Sequence, residues 1–334
     1  MVGLIDRRPQ VSYGRLLAPA LFLSLIFADR ILSTAQEVQA PTIRVEVSRV
    51  NVGVIVTDRT GKFVEGLQKS DFHIFDNGVE QPIAGFLRND DPAQVVLMLE
   101  CGPSMYLFGK ESIQKADRLI THLAPSDRVA VVCYSSGAAI EYPLSEDKAT
   151  ARLALRELNF AIGSGDLDLS KSLLAVLEWL AKVPGKKTVV LIGSGVDSAP
   201  PESASAFQDR INASEVRVLA VSTSKQLKQL PKRQKHSGQE RESRIQLDPI
   251  LKRGDALLLS LAETTGGRAY FPKNLNEYDQ AYAEIAQIVR HDYNLAFAPQ
   301  IADGKLHKLS VTTIDGHRID SRRAYLAPAA SSNY

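Results

Sequence analysis

Apolar strands that alternate with amphipathic helices between residues 93 and 290 constrain the fold of this chain more than any other feature. A strand that is apolar on both faces belongs to a sheet that is covered on both sides. The pattern therefore predicts a doubly wound α/β domain with a mostly parallel sheet. The clearest strands are VVLMLE (95–100), DRVAVVCYSS (127–136), KKTVVLIGSG (186–195) and VRVLAVST (216–223).

Two segments with strand patterns flank this α/β block. Residues 42–90 contain alternating apolar runs and the hairpin signal Asn77-Gly78. Residues 291–328 contain three apolar runs, which Asp303-Gly304 and Asp315-Gly316 turns join. A unit of about three strands is marginal alone. We therefore predict that the two flanks pair with each other into one small β-sandwich, with the α/β domain inserted between them.

The first 35 residues have the features of a secretory signal peptide. Arg7, Arg8 and Arg15 precede the apolar run 16–28, and small residues precede a predicted cut after Ala35. The apolar run is short for a membrane span. The sequence therefore predicts a secreted or periplasmic protein with no membrane span after cleavage, and an uncleaved N-terminal anchor is the alternative.

Charge and cysteine content limit the classes of partner and site. The formal net charge is +2, and residues 1–35 carry that excess, so the mature chain is formally neutral. A neutral chain gives no general reason to expect nucleic-acid binding.

Cys101 and Cys133 lie at the ends of two strands that are predicted to be neighbours. A bridge between them is possible in an oxidising compartment, but we favour two reduced, buried thiols.

A hydrophilic segment, 224–245, interrupts the alternation of strands and helices. It is rich in lysine and arginine and has few apolar residues. This composition favours a solvated loop, and a basic docking surface is the weaker alternative.

Three stretches of the chain carry a resemblance to a known family. They are VNVGVIVTDRTGKFVEGLQKSDFHIFDNGVEQPIAGF (50–86), the block from VVLMLECGPSM to VVLIGSG, and the tail from YNLAFAP to RAYLAP. In these stretches, which together span roughly residues 42–328, the chain resembles the von Willebrand factor A-related proteins of the acidobacterial type. The resemblance implies an adhesion-type domain whose first strand usually ends in Asp-x-Ser-x-Ser, which holds a Mg²⁺ ion together with a Thr and an Asp from two other loops.

This resemblance places the metal ligands at Glu100, Ser104 and Ser194. Glu100 stands at the first Asp of the motif, Gly102 stands at its first Ser, and Ser104 keeps its last Ser. Ser194 stands at the Asp of the third loop. One carboxylate with neutral hydroxyls gives little binding energy against a strongly hydrated ion. We therefore predict a degenerate metal site and no required cofactor, although Mg²⁺ is the ion that such a site takes.

The ligand face implied by the resemblance is the carboxyl edge of the sheet, where doubly wound folds bind ligands. The alignment places Leu167 at the Thr of the second loop, and a slip of one residue offers Asp166 or Asp168 instead. Together with Gly102 and Asp197, these two aspartates form the predicted partner-binding face. The sequence thus predicts a non-enzymatic protein that binds an unidentified protein outside the cytoplasm.

Two other functions stay open at this point. Residues 102–106, GPSMY, are a near miss of the Gly-x-Ser-x-Gly nucleophile elbow of serine hydrolases. A hydrolase needs a histidine beside the serine, and no histidine lies in the predicted loops of the carboxyl edge. A scaffold protein that uses no site is the other alternative, and it predicts that mutations in the strand-end loops change stability alone.

Overall fold

The structure is a computed structural model that describes residues 49–102, 115–158, 166–198, 203–228 and 237–329. For residues 237–246 it describes the backbone alone. The predicted signal peptide and the strand pattern at 42–48 lie outside the described residues. Within the described ranges, no helix is both long and apolar enough to cross a membrane.

Strand-rich segments flank a region in which strands and helices alternate. The strands are β1 Val50–Thr57, β2 Phe72–Asp76, β3 Val79–Gln81, β4 Ile83–Leu87, β5 Ala93–Glu100, β6 Arg128–Tyr134, β7 Ala138–Ser145, β8 Lys186–Gly193, β9 Arg217–Ser222, β10 Ala269–Tyr270, β11 Asp292–Phe297, β12 Leu306–Thr313, β13 Arg318–Ser321 and β14 Ala324–Leu326. The helices are α1 (described over 115–122), α2 Lys148–Arg156, α3 Leu169–Ala181, α4 Ala204–Ala213, α5 Ser224–Lys228, α6 Ser237–Thr264 and α7 Leu275–His291.

The central sheet has the strand order β10-β9-β8-β5-β6-β7. All of its neighbours pair in parallel except β6 and β7, which are antiparallel. Val95 and Leu97 of β5 pack in one hydrophobic core, while Val96 and Met98 pack in a second core on the other face. Burial of such side chains contributes about 1.5–3 kcal/mol each. The predicted doubly wound α/β fold is therefore confirmed.

Both flanks of the chain build the sandwich. Its antiparallel sheets have the orders β13-β1-β11-β4 and β14-β12-β2-β3. Strand β1 pairs with β11 and β13, and β2 pairs with β12. Val52, Val54, Tyr293 and Phe297 belong to the core between the two sheets. The prediction that the two flanks pair with each other is confirmed.

The sheet that contains β1 is buried on both faces. Val52 and Val54 belong to the sandwich core, whereas Ile55 belongs to a core of the α/β domain. On the same face as Ile55, Asn51 donates from its backbone N–H and from its side chain to the carboxylate of Glu215, at 3.1 and 2.7 Å. The sandwich therefore lies against the α/β domain through this sheet.

Buried charges hold this contact at the amino edge of the central sheet. Lys186 and Arg217 are the first residues of β8 and β9. The Lys186 ammonium donates to three backbone carbonyls, including that of Asp292 at 3.2 Å. Arg217 and Asp292 form an ion pair at 2.8 Å, with side chains only 3% and 5% exposed. Burial lowers the pKa of Lys186 and raises the pKa of Asp292, because desolvation disfavours charge.

Helices occupy part of the segment that was predicted to be a solvated loop. Within 224–245, α5 covers Ser224–Lys228 and α6 begins at Ser237, so the prediction is wrong for these residues. Residues 229–236 lie outside the described ranges. Glutamate, glutamine and arginine favour helices as well as solvent, so a charged composition alone does not exclude a helix.

Cys101 and Cys133 form a disulfide, so the favoured prediction of reduced thiols is wrong. Their Cα atoms are 5.7 Å apart, which lies within the usual range for a bridge. Parallel pairing of β5 with β6 sets Leu99 opposite Cys133, and Cys101 follows just beyond the end of β5. The register of the two strands decides this distance, and the spacing along the chain does not reveal it.

Replacing both cysteines with serine is expected to lower the free energy of unfolding by about 3–4 kcal/mol. The bridge joins residues 32 positions apart and so restricts the unfolded chain. Urea denaturation without reductant measures the difference. A reductant should lower the stability of the wild type to that of the variant and leave the variant unchanged. Equal stability of the two oxidised proteins would contradict the bridge.

Candidate functional site

Glu100 lies at the centre of the carboxyl edge of the sheet. Its side chain is fully buried. The Oε2 atom accepts from the backbone N–H and from the hydroxyl of Ser194, each at 2.6 Å. Tyr134 donates its hydroxyl to the same oxygen at 3.4 Å. The carboxylate therefore joins the ends of β5, β6 and β8.

Gly193 makes this arrangement possible. A Cβ at this position would lie 2.8 Å from Glu100 Oε2 and 2.5 Å from the Tyr134 hydroxyl, too close for either atom. Burial raises the pKa of Tyr134 well above its usual value, and the nearby Glu100 carboxylate raises it further. Tyr134 therefore stays a phenol and a hydrogen-bond donor to Glu100.

One oxygen of the Glu100 carboxylate, Oε2, is engaged by the fold rather than directed at a metal position. It faces an N–H group and two hydroxyl donors, whereas a metal ligand directs its lone pairs at the ion. The Ser194 hydroxyl donates to Glu100 and accepts from the N–H of Val196 at 3.2 Å, so it is also engaged. Among the described residues, no group of three or more His, Cys, Asp or Glu is arranged to hold a metal. The third predicted ligand, Ser104, lies outside the described ranges.

Two of the predicted face residues, Asp168 and Asp197, hold the N-terminus of α3. Asp168 is the N-cap and accepts from the N–H of Lys171 at 3.1 Å. Asp197 Oδ2 accepts from the N–H and the hydroxyl of Ser170, at 3.2 and 2.5 Å. Carboxylates are favourable at this end of a helix because its free N–H groups carry partial positive charge.

Backbone hydrogen bonds join the strand-end loops into one surface. The N–H of Asp168 donates to the carbonyl of Ser135 at 2.7 Å, and the N–H of Ser198 donates to the carbonyl of Leu167 at 2.7 Å. The Ser198 hydroxyl accepts from the N–H of Leu167 at 3.3 Å. The loops that follow β6, precede α3 and follow β8 are therefore fixed relative to one another.

The structure brings most of the predicted face residues to this surface. Gly102 is buried, and a Cβ there would lie 2.8 Å from the side chain of Leu167, so the first and second loops are in close contact. Asp166 is exposed at the rim, and Asp168 and Asp197 are partly exposed. The face at the carboxyl edge, which comprises Gly102, Ser135, Asp166–Asp168 and Asp197–Ser198, is therefore polar and carries carboxylates.

Sequence reasoning missed Tyr134 and Ser170, and it did not reveal that Gly193 leaves space for Glu100 and Tyr134. Tyr134 is the last residue of the apolar strand β6, where an aromatic side chain usually serves only to fill the core. Its role is revealed only by the register, which sets it opposite Glu100. Ser170 is the second residue of α3 and bonds Asp197 from a separate loop. The signal that could have revealed this role of Gly193 is its position at the end of an apolar strand, where a glycine often allows close approach.

The described histidines do not lie at the carboxyl edge. His73 and His307 are in the sandwich, and their rings contact Glu80 and Asp76. His291 ends α7 and contacts Glu65. Ser194 therefore has no described histidine to act as its general base, which argues against the hydrolase alternative.

In doubly wound α/β folds, ligands usually bind at the carboxyl edge of the sheet. Residues 95–196 match the family model of the von Willebrand factor type A domain. This part of the chain, which runs from β5 to the loop after β8, is similar to that domain. No curated protein shows significant similarity to the chain.

Solved structures similar to the chain include three from bacteria. A von Willebrand factor type A protein from Catenulispora acidiphila is 13% identical, with a TM-score of 0.42 over 80% of this chain and 76% of that one. An aerotolerance-related membrane protein from Bacteroides fragilis is 15% identical, with a TM-score of 0.42 over 59% and 98%. The PilB minor pilin of Streptococcus sanguinis is 13% identical, with a TM-score of 0.41 over 63% of each chain. Similarity at this level does not establish function.

Proposed function

We propose that this chain is a non-enzymatic protein-binding protein and that its ligand face is the carboxyl edge of the central sheet. The observation that carries the proposal is the set of backbone hydrogen bonds that fixes the strand-end loops as one surface. A preformed surface loses little conformational freedom when a partner binds. The match of residues 95–196 to the von Willebrand factor type A domain supports the same face.

Binding at this face requires no metal ion. Glu100, which stands at the position of the first metal ligand, is fully buried and accepts hydrogen bonds from Ser194 and Tyr134. These bonds already use the acceptor capacity of Oε2. A metal ion bound through Oε2 would have to displace donors that belong to the fold itself.

The partner presents basic or amide groups to the face. The exposed Asp166 and the partly exposed Asp168 supply carboxylates at its rim. In a metal-bound adhesion site the partner supplies a carboxylate to the cation. Without the cation, the face itself carries the negative charge, so the charge that the partner must supply is the opposite one. Complementary charge raises the association rate and excludes acidic partners.

The protein acts outside the cytoplasm, in a secreted or periplasmic location. The disulfide between Cys101 and Cys133 supports an oxidising compartment. The basic and apolar character of residues 1–28, which indicates a signal peptide, supports the same location.

Selection of peptides from a random display library on the purified mature chain tests this function. The retained peptides should be rich in lysine and arginine, and their binding should persist in EDTA. Asp166→Arg should weaken binding by about tenfold or more, because it reverses the charge at the rim. The matched control is Asp315→Arg, which makes the same charge change at an exposed turn of the sandwich and should leave binding unchanged.

Two results of this selection would count against the proposal. Loss of binding in EDTA with recovery in Mg²⁺ would show a functional metal site. Equal binding by the wild type and by Asp166→Arg, Asp168→Ala and Asp197→Ala variants would show that the carboxyl edge is not the ligand face, as the scaffold alternative predicts.

A further inference from the structure

The outermost strand of the central sheet, β7, has one backbone edge that no other described strand covers. It ends the order β10-β9-β8-β5-β6-β7, and among the described strands it pairs with β6 alone. Residues 138–141 are all exposed, and the side chain of Ile140 is 53% exposed. An uncovered strand edge offers its N–H and C=O groups to another strand.

The register between β6 and β7 shows which backbone groups of β7 face outward. The carbonyl of Tyr134 accepts from the N–H of the residue that follows β5, at 2.8 Å, so the backbone of Tyr134 faces β5. Successive residues of a strand turn these groups to opposite sides, so those of Cys133 face β7. Cys133 pairs with Ala139, which therefore faces β6. The N–H and C=O groups of Ala138 and Ile140 face outward.

This part of the edge lacks the features that usually keep strand edges apart. Such edges carry lysine or proline, or are twisted away by a bulge. Strand β7 has no lysine or arginine. Its register shift at Glu141 and its proline, Pro143, both follow Ile140. Residues 138–140 therefore form a regular edge, and the two alanines leave its backbone open to close approach.

Residues 137–141, GAAIE, are complementary to a second copy of themselves in an antiparallel pair. A two-fold axis at Ala139 sets Ala138 of each copy opposite Ile140 of the other. The outward groups of Ala138 and Ile140 then exchange hydrogen bonds, as in any antiparallel ladder. The two Ala139 residues meet at the axis as a pair of the closer kind, with Cα atoms about 4.5 Å apart, which suits a small side chain.

The same register avoids a repulsion between carboxylates. It sets Glu141 of each copy opposite Gly137 of the other, so the two Glu141 side chains do not face each other. A Cβ added at Gly137 would have no described atom within 4 Å, which leaves room for the glutamate. Like charges that lie directly opposite destabilise a pair of strands, and this pairing has none.

We propose that β7 pairs with β7 of a second copy and joins the two six-stranded sheets into one continuous sheet. Two-fold symmetric dimers are the commonest protein assemblies. The axis is perpendicular to the sheet, so both copies of α2, which packs on β6 and β7, lie on the same face of the joined sheet. Each α2 exposes Leu153, whose side chain is 54% exposed and adds apolar surface beside β7.

This symmetry also sets the direction of the two carboxyl edges. A two-fold axis perpendicular to a sheet reverses the direction of its strands. The carboxyl edges of the two copies therefore point in opposite directions, and the dimer presents its two ligand faces at opposite ends. This consequence alone rests on the proposed function, because the pairing of β7 does not depend on what the carboxyl edge binds.

Sedimentation velocity of the purified mature chain, from micromolar to millimolar concentration, tests the proposal. The wild type should pass from monomer to dimer as the concentration rises. Amide hydrogen exchange, followed by NMR, provides a second measurement. Exchange at the N–H of Ile140 should slow over the same range of concentration, because that group becomes hydrogen-bonded in the dimer.

Proline variants separate the two sides of β7. Ile140→Pro removes an outward N–H and none of the hydrogen bonds to β6, and such edge positions tolerate proline. It should keep the melting temperature of the wild type and weaken dimerisation by about tenfold or more. Ala139→Pro removes an N–H that faces β6 and should lower the melting temperature.

A lysine variant and a matched control test the same contact without a change to the backbone. Ile140→Lys places two lysines near the axis and should weaken dimerisation by about tenfold or more, because lysine on an edge opposes strand pairing. Ile314→Lys makes the same change at a turn of the sandwich, where Ile314 is 64% exposed. It should dimerise like the wild type.

Two results would overturn the proposal. A wild-type monomer throughout the range of concentration would leave a strand of another protein as the occupant of this edge. A dimer that both Ile140→Pro and Ile140→Lys retain would place the contact elsewhere on the molecule. Neither result changes the expected effect of Asp166→Arg on peptide binding, so the two proposals fail separately.

Discussion

Asp292→Ala is expected to lower the free energy of unfolding by about 3–5 kcal/mol. The change leaves the Arg217 guanidinium buried without its carboxylate partner, and that side chain is only 3% exposed. An uncompensated buried charge is far more destabilising than a lost surface ion pair. Urea denaturation of the two proteins measures the difference.

A surface ion pair provides the matched control for this substitution. Glu284 pairs with Arg268, and their side chains are 41% and 34% exposed, so Glu284→Ala should cost about 0–1 kcal/mol. The double variant Arg217→Met/Asp292→Leu removes both charges and should recover most of the lost stability. If Asp292→Ala is no more destabilising than Glu284→Ala, the buried pair does not hold the sandwich against the α/β domain.

Glu100→Ala is expected to destabilise the fold by about 2–4 kcal/mol, because it leaves buried donors of Ser194 and Tyr134 without an acceptor. Glu100→Gln keeps the length and one acceptor oxygen, so it should be less destabilising. Addition of millimolar Mg²⁺ should leave the melting temperatures of the wild type and of both variants unchanged.

The Mg²⁺ titration also decides between the two roles of Glu100. A saturable rise in the melting temperature of the wild type, absent from Glu100→Ala, would make Glu100 a metal ligand and would contradict the hydrogen-bonded role. Glu100→Asp gives a further comparison, because a side chain one methylene shorter should lose contact with the N–H of Ser194. The stability of this variant should lie between those of Glu100→Ala and Glu100→Gln.

The sequence allowed the layers of the fold to be predicted, because their signals are local. The unbroken run Val95–Leu99 can be buried on both faces only in a covered parallel sheet. The pairing of the flanks was predictable because neither had enough strands to be stable alone. These predictions depend on the periodicity of the apolar residues and on the number of predicted strands in each flank, and both can be read from a single sequence.

The features that the sequence did not reveal depend on register. The disulfide forms because β5 and β6 are parallel neighbours with Leu99 opposite Cys133. The role of Tyr134 depends on the same register, which sets it opposite Glu100. Alignment to a family motif assigned Glu100 a position but not its hydrogen-bond partners, because one additional methylene changes which groups the carboxylate reaches.

The pairing of the two flanks also determines the order in which the chain can fold. Strand β1 needs β11, with Val50 opposite Phe297, and Asp76 of β2 meets His307 only 231 residues later in the chain. Such distant contacts form slowly. During synthesis, the first strands therefore remain exposed until the inserted α/β domain and the last strands have emerged. A chain that is truncated before β11 keeps these strands unpaired and is open to aggregation and proteolysis.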